Sequence, residues 1–174
     1  MNKIVFLDRD GVINIDKNYL YKIEEFEFID GTFESLKYLQ ELGYKLVIVT
    51  NQSGIGRGYY SYEDYNILTN WMISEFKKNN IDILSVFCCP HTPVDNCNCR
   101  KPNIGMIEQA KKIIDIDFKN SWLVGDKTSD IQLAINVDIP NTIQVLSGEK
   151  VDIKKSKAKY IIESIKNIKD IIKS

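Results

Sequence analysis

The chain is short of the features that would take it out of the ordinary globular class. No apolar run approaches the roughly 18 residues of a membrane-spanning helix. The first residues lead straight into a strand pattern with no signal peptide ahead of it. Both absences predict a cytoplasmic protein with no membrane partner. An excess of one charge is also missing: 23 Lys and Arg stand against 24 Asp and Glu, so no broad basic surface points to nucleic acid. No linker, repeat or heptad seam interrupts the 174 residues, which suit a single domain over residues 1–174 and a monomer. A chain of that length buries about 70% of its unfolded surface. Histidine occurs once, and all four cysteines fall between residues 88 and 99. In a cytosolic chain that clustering favours a metal site over disulfides.

What is present begins with Ile4-Val5-Phe6-Leu7, an apolar run that stops at Asp8-Arg9-Asp10-Gly11. Such a run reads as a buried parallel strand, and open α/β sheets place their chemistry at the C-terminal edge of such strands. Residues i and i+2 of an extended chain point the same way, so Asp8 and Asp10 are expected to face one site. By themselves they fit a solvated turn equally well, since Asp and Gly are turn formers. The later strands change that balance. Lys45-Leu46-Val47-Ile48-Val49 ends at Thr50-Asn51-Gln52-Ser53-Gly54, a hydroxyl, two amides and a turn of backbone N–H groups suited to an oxyanion. Ile83 to Cys88 reads as a third strand, and Ser121-Trp122-Leu123-Val124-Gly125 as a fourth that ends at Asp126, with Asp130 four residues on. Ile143 to Leu146 reads as a fifth. Asp8 and Asp126 can share a hard cation of the magnesium kind, with Asp130 orienting that shell or capping the next helix.

Between the strands, Phe33, Leu36, Leu39 and Leu42 recur at helical spacing before Gly43, and Ser61-Tyr62-Glu63-Asp64 forms a capping box ahead of Tyr65, Leu68, Met72 and Phe76. Ile107, Ala110 and Ile114 define an inward face for the helix after Pro102, which presets its first turn. Ile161, Ile165, Ile168 and Ile172 predict a packed terminal helix in the Lys-rich tail. Residues 15–21 form a polar, aromatic loop, either a plain connection or a substrate-facing flap.

Cys89-x-His91 and Cys97-x-Cys99 are two chelating arms, and three thiolates with one imidazole match a closed, tetrahedral structural Zn2+ site. Cys88 is expected to be a strand residue facing away. The arms are followed at once by Arg100-Lys101-Pro102, so zinc would fix a loop that brings two cations to the sheet edge, where they suit phosphate oxygens.

Taken in order, Asp8-x-Asp10-Gly11, Thr50-Asn51, Lys101 and Gly125-Asp126 with Asp130 resemble the four motifs of the haloacid dehalogenase-like phosphatases. Phe6-Leu7-Asp8-Arg9-Asp10-Gly11, Thr50-Asn51-Gln52-Ser53-Gly54-Ile55, Cys89-Pro90-His91 and Cys97-x-Cys99-Arg100-Lys101-Pro102 are similar, more closely, to the histidinol-phosphatase-related zinc-loop subfamily and its heptose bisphosphate phosphatases. The resemblance covers about residues 3–148; it departs in the short loop between the zinc arms and in Asn136-Val137, and the tail after Lys150 has no counterpart. It implies an α/β, three-layer Rossmann-like fold with a parallel central sheet flanked by helices, no large cap domain and a short zinc-bound loop. It also implies a small phosphorylated sugar as substrate, in heptose nucleotide-sugar biosynthesis for surface glycans, with a histidinol-phosphate phosphatase or an inactive phospho-sugar-binding regulator as alternatives. Catalysis would fall to Asp8 as nucleophile, Asp10 as general acid and base, and Thr50, Arg100 and Lys101. Mg2+ would lie on Asp8, the Asp10 carbonyl and Asp126, and Zn2+ on Cys89, His91, Cys97 and Cys99. Substrate contacts would come from those catalytic residues and from Arg9, Asp16, Lys17, Asn18, Tyr19, Asn51, Gln52, Ser53 and Lys127.

Overall fold

Alternation within the first strand sets the architecture. In β1 (Ile4–Leu7) all four side chains are fully buried. Val5 and Leu7 pack into one apolar cluster while Ile4 and Phe6 pack into another, because successive strand residues point to opposite faces. A strand buried on both faces needs cover on both, which is the setting of a parallel sheet between helical layers. The computed structural model, which describes residues 1–174, has that form. Its six strands are β1, β2 (Lys45–Asn51), β3 (Ile83–Cys89), β4 (Trp122–Gly125), β5 (Asn141–Val145) and β6 (Tyr160–Ile162). They run parallel throughout in the order β3-β2-β1-β4-β5-β6.

On the Val5–Leu7 face lie α1 (Thr32–Glu41) and α3 (Tyr62–Lys78), which contribute Leu36, Leu39, Leu68, Met72 and Phe76. The predicted capping box opens α3: the Ser61 side chain accepts from the Asp64 N–H and Asp64 accepts from the Ser61 N–H. On the Ile4–Phe6 face lie α4 (Gly105–Lys111) and α5 (Thr128–Asn136), contributing Met106, Ile107, Ala110, Leu133 and Ala134. A single turn, α2 (Ser53–Gly56), follows β2. Strand order runs outward in both directions from the adjacent pair β1 and β4, and the crevice at such a reversal, outside the strand C-termini, is where this topology binds ligands.

Two local expectations are corrected. The tail is not one helix: Tyr160–Ile162 adds β6 to the sheet, and Ile165–Asp170 is a 3-10 turn. Ile165, Ile168 and Ile172 are buried as predicted, since a 3-10 turn also brings i and i+3 to one side. Ser35 Oγ and Tyr38 OH fasten that segment to α1 by donating to the Ile165 and Ile172 carbonyls. Pro102 does not open α4, which begins at Gly105; it lies in the preceding turn. No helix is long and apolar enough to cross a membrane.

Candidate active site

The C-terminal ends of β1 and β4 bring three carboxylates together. Asp8, Asp126 and Asp130 each place a ligand oxygen within 4.8 Å of the others, and all three residues are buried. Lys101, only 4% exposed, is the counter-charge from within the chain. Its Nζ lies 3.0 Å from Asp8 Oδ1 and 2.7 Å from Asp130 Oδ1, and donates to the Val49 carbonyl at 2.8 Å. Burial opposes charge on Lys101, but Asp130 and Asp8 outweigh it and hold its pKa above the usual lysine value. Burial likewise pushes the Asp8 carboxyl up, yet Lys101 and Lys127 dominate and keep it below the usual carboxylate range. Asp126 is raised to about 8, by burial and then by Asp8 and Asp130. Three buried hard oxygen donors brought this close together suit a divalent cation such as Mg2+.

The loop after β5, which carries no motif, closes against this cluster. Glu149 N–H donates to Asp126 Oδ2 at 2.9 Å, and Ser147 Oγ donates to the Gly11 carbonyl at 2.8 Å. Gly11 (φ +88°) and Gly148 both press on Asp126: a Cβ would lie 2.5 Å and 2.1 Å from its Oδ2. The glycine of Asp-x-Asp-Gly is therefore required twice, by its backbone angle and by contact with a carboxylate 115 residues further on. Asp130 takes one of its two expected roles directly, since its second oxygen caps α5 by accepting from Lys127 N–H at 3.0 Å.

Asp10 turns its side chain away from that triad. Its carboxylate accepts from Arg9 Nη2 (3.0 and 3.1 Å), Asn14 Nδ2 (2.9 Å) and Gln52 Nε2 (3.0 Å). Asp8 and Asp10 nonetheless border one cavity of about 290 Å³. Its other walls come from Asp16, Asn18 and Tyr19 of the flap, from Asn51, Gln52, Ser53 and Tyr60, and from Arg100, Lys101, Lys127 and Ser129. This lining is almost wholly polar, which fits a charged, hydroxylated ligand better than an apolar one. The flap itself is strained: Asn18 and Tyr19 have φ of 54° and 55°, a left-handed conformation that costs of order 1 kcal/mol or more for each non-glycine residue. Edge-on packing of Tyr19 against Tyr59, with the Arg57 guanidinium over the Tyr19 ring, holds it.

Behind Lys101 the thiols converge. Cys89 Sγ lies 2.9 Å from Cys99 Sγ and 3.6 Å from Cys97 Sγ, while His91 Nδ1 lies 3.2 Å from Cys99 Sγ. All four cysteines are free, and Cys88 stands outside the cluster. A tetrahedral zinc with Zn–S bonds of about 2.3 Å separates its ligands by about 3.8 Å, so these residues fit that ion with small outward shifts. Burial pushes the Cys89 thiol up. At Cys97 burial is outweighed by the N–H groups of Arg100 and Cys99, which lower it to about 7. The loop connects directly to the site: Asn51 Oδ1 accepts from Lys101 N–H at 3.0 Å, and Gln52 N–H donates to the Cys89 carbonyl at 2.7 Å.

Three predicted substrate contacts are placed elsewhere. Arg9 is 1% exposed and does not reach the cavity, because its guanidinium folds inward onto Asp10 and the Leu20 carbonyl. Thr50 is fully buried beneath the wall, where its Oγ accepts from Gln52 Nε2 at 2.8 Å. Lys17 points away, to Glu27 Oε1 at 2.6 Å and the Glu25 carbonyl at 2.8 Å. Conversely, Tyr60, Ser129 and the 147–149 loop belong to the site without having been singled out in the sequence. The place of Asp130 near Asp126 was signalled by its four-residue offset and by the motif that the two share in the resemblance.

The polynucleotide kinase 3 phosphatase family matches residues 3–168. A D-glycero-alpha-D-manno-heptose-1,7-bisphosphate 7-phosphatase of Photorhabdus laumondii is 49% identical over 84% of this chain and 84% of its own. A D-glycero-beta-D-manno-heptose-1,7-bisphosphate 7-phosphatase of Pasteurella multocida is 42% identical over 99% of this chain and 98% of its own. Among solved structures, the D,D-heptose 1,7-bisphosphate phosphatase of B. bronchiseptica, complexed with magnesium and phosphate, superposes with a TM-score of 0.84 at 27% identity, covering 95% of each chain.

Proposed function

The chain belongs to the polynucleotide kinase 3 phosphatase family, among its heptose bisphosphate phosphatases, and we propose that it removes the 7-phosphate of D-glycero-D-manno-heptose 1,7-bisphosphate in a magnesium-dependent reaction. The observation that carries this reading is the Asp8–Asp126–Asp130 cluster around Lys101, which meets a polar cavity through Asp8 and Lys101 beside Asp10.

Asp8 is the nucleophile. One of its oxygens bonds to phosphorus as the bond from phosphorus to the sugar oxygen breaks, giving an aspartyl-phosphate. Asp10 passes a proton to the departing sugar oxygen. It then takes one from the attacking water, and the bond between phosphorus and Asp8 breaks to release inorganic phosphate. Asp8, Asp126 and the Asp10 carbonyl would hold Mg2+, which when bound supplies positive charge where two anions must meet. Asp130 orients Lys101, and Lys101 with Asn51 holds the phosphoryl oxygens, on which charge is spread in the transition state. Arg100 and Lys127 also line the cavity and serve the second phosphate, Lys127 from its pair with Asp126, while Asp16, Asn18 and Tyr19 read the sugar hydroxyls. Cys89, His91, Cys97 and Cys99 would hold a structural zinc that anchors the Arg100–Lys101 segment. One domain supplies every one of these groups.

The test is phosphate release with magnesium from both anomers of the heptose 1,7-bisphosphate, fructose 1,6-bisphosphate, histidinol phosphate and a 3′-phosphorylated oligonucleotide. One heptose anomer is expected to lead by about 10²-fold in kcat/KM, which is about 2.7 kcal/mol. Strong turnover of histidinol phosphate would overturn the substrate, and no turnover of any ester would overturn the enzyme reading.

A further inference from the structure

Asp10 must give up and recover a proton at one point in space, yet it stands in a turn beyond the end of β1, with its side chain 18% exposed. What holds it is a layer of side chains in the cavity wall, Gln52 and Tyr60, and just behind it, Arg9 and Thr50. Gln52 has both ends of its amide engaged. Nε2 donates to Asp10 Oδ2 at 3.0 Å and to Thr50 Oγ at 2.8 Å. Oε1 accepts from the Tyr60 hydroxyl and, at 3.5 Å, from Arg9 Nη2. An amide fixed at both ends cannot flip, so it presents its N–H to Asp10 in one orientation only. Arg9 grips the same carboxylate through Nη2 and Nε (3.3 Å). It does so at the cost of a buried cation whose Nη1 has no partner.

The same layer reaches the flap. Arg9 Nη2 also donates to the Leu20 carbonyl at 3.0 Å, and Tyr21 stacks on Tyr60 with ring centroids 5.2 Å apart and planes inclined by 15°. Leu20 and Tyr21 directly follow Asn18 and Tyr19, the two left-handed residues that border the cavity. The segment that meets the substrate and the residue that moves the proton therefore share their anchors.

We propose that Gln52, clamped by Tyr60 and Arg9, is the positioning residue for Asp10, and that this clamp ties the aim of Asp10 to the seating of the flap. The proposal rests on Asp10 acting as the general acid, but not on the identity of the sugar.

Leaving-group dependence tests it. A small alkyl phosphate expels an alkoxide that needs a proton, whereas a nitrophenyl phosphate expels a stable phenolate that does not. Neither ester is large enough to engage the flap as a sugar bisphosphate would. For both, kcat/KM reports the steps up to departure of the leaving group. Gln52→Met, and Tyr60→Phe as the milder change of one hydroxyl, are each expected to lower kcat/KM for the alkyl ester by about 10-fold or more through kcat. The nitrophenyl ester should lose less than about 3-fold, and KM should hold for both. Because the two residues act through one carboxylate, the double variant should lose little more than the worse single one. Equal losses for both esters would overturn the proposal in favour of a structural role, and a loss confined to KM would make Gln52 and Tyr60 substrate contacts. If the wild type hydrolyses these esters with that split but ignores heptose bisphosphate, the sugar assignment fails while the clamp stands.

Discussion

Two clusters, one of three carboxylates and one of three thiols with an imidazole, flank the Lys101 segment, and they solve opposite problems of charge. The carboxylate cluster carries its own cation: Asp8 and Asp130 contact Lys101 at 3.0 and 2.7 Å, and Lys127 Nζ lies 3.1 Å from Asp126 Oδ2. It can therefore assemble without a metal, with Asp126 keeping a proton up to about 8 to relieve the excess negative charge. The thiol cluster has no such partner. Its sulfurs touch one another, and burial holds Cys89 and Cys99 in the neutral form. The carboxylate cluster is thus already charge-compensated from within the chain, whereas the thiol cluster offers a set of soft ligands that suits a cation such as zinc.

That contrast can be broken most severely at Asp8. Asp8→Asn should lower turnover by at least about 10⁴-fold, measured as phosphate release, while the zinc content of the purified protein stays at the wild-type level. Substantial residual turnover would refute the covalent role. Next comes Lys101→Met, which leaves Asp8 and Asp130 buried without their counter-ion. A rate loss of about 10²–10³ is expected, together with a stability loss of about 3 kcal/mol in denaturant unfolding. Magnesium should recover part of the stability and little of the rate.

Cys99→Ser tests the other cluster. Zinc content should fall, the melting temperature should drop by several degrees, and the rate should fall about 10-fold, because the loop no longer delivers Lys101 to Asn51. An unchanged rate after loss of the metal would separate the two sites. The smallest effect concerns pH. Asp126 is raised to about 8 in the fold, against about 4 when unfolded, so the folded chain holds a proton that the unfolded chain has released. Its contribution to stability is present below about pH 4 and is lost as pH rises through 8. Magnesium replaces that proton, so the rise in melting temperature on adding magnesium should be a few degrees larger at pH 8.5 than at pH 6. An equal shift at both would mean that Asp126 is not a ligand.

Much of this arrangement could be read from local pattern. Five strands were visible as apolar runs ending in polar residues, because a strand buried on both faces tolerates no polar interruption. β6 was hidden: Tyr160–Ile162 is only three residues long, and the isoleucines that continue from it keep a spacing that a helix and a 3-10 turn both satisfy. The convergence of Cys89, His91, Cys97 and Cys99 was legible because chelating arms are local. Thr50 was misplaced because β2 runs one residue past it and keeps it buried, and Arg9 for the reason that makes turns hard to read. Once the chain leaves the strand after Leu7, the period of two no longer dictates which way a side chain points, and Asp10, held by Gln52 and Asn14, drew Arg9 inward. Tyr60 and the 147–149 loop left no trace, since neither carries a reactive group at a strand end.

Composition, strand pattern and motif order by themselves determined a parallel α/β chain with acids, amides and cations at its strand ends and a thiol clip beside them. Tertiary structure alone decided which of those groups meet. It closed Gly148 on Asp126 and placed Gln52 and Tyr60 beside Asp10. Those contacts join residues far apart in the chain, and their geometry follows from how strands β1, β2 and β4 stand beside one another in the sheet, which no local spacing encodes.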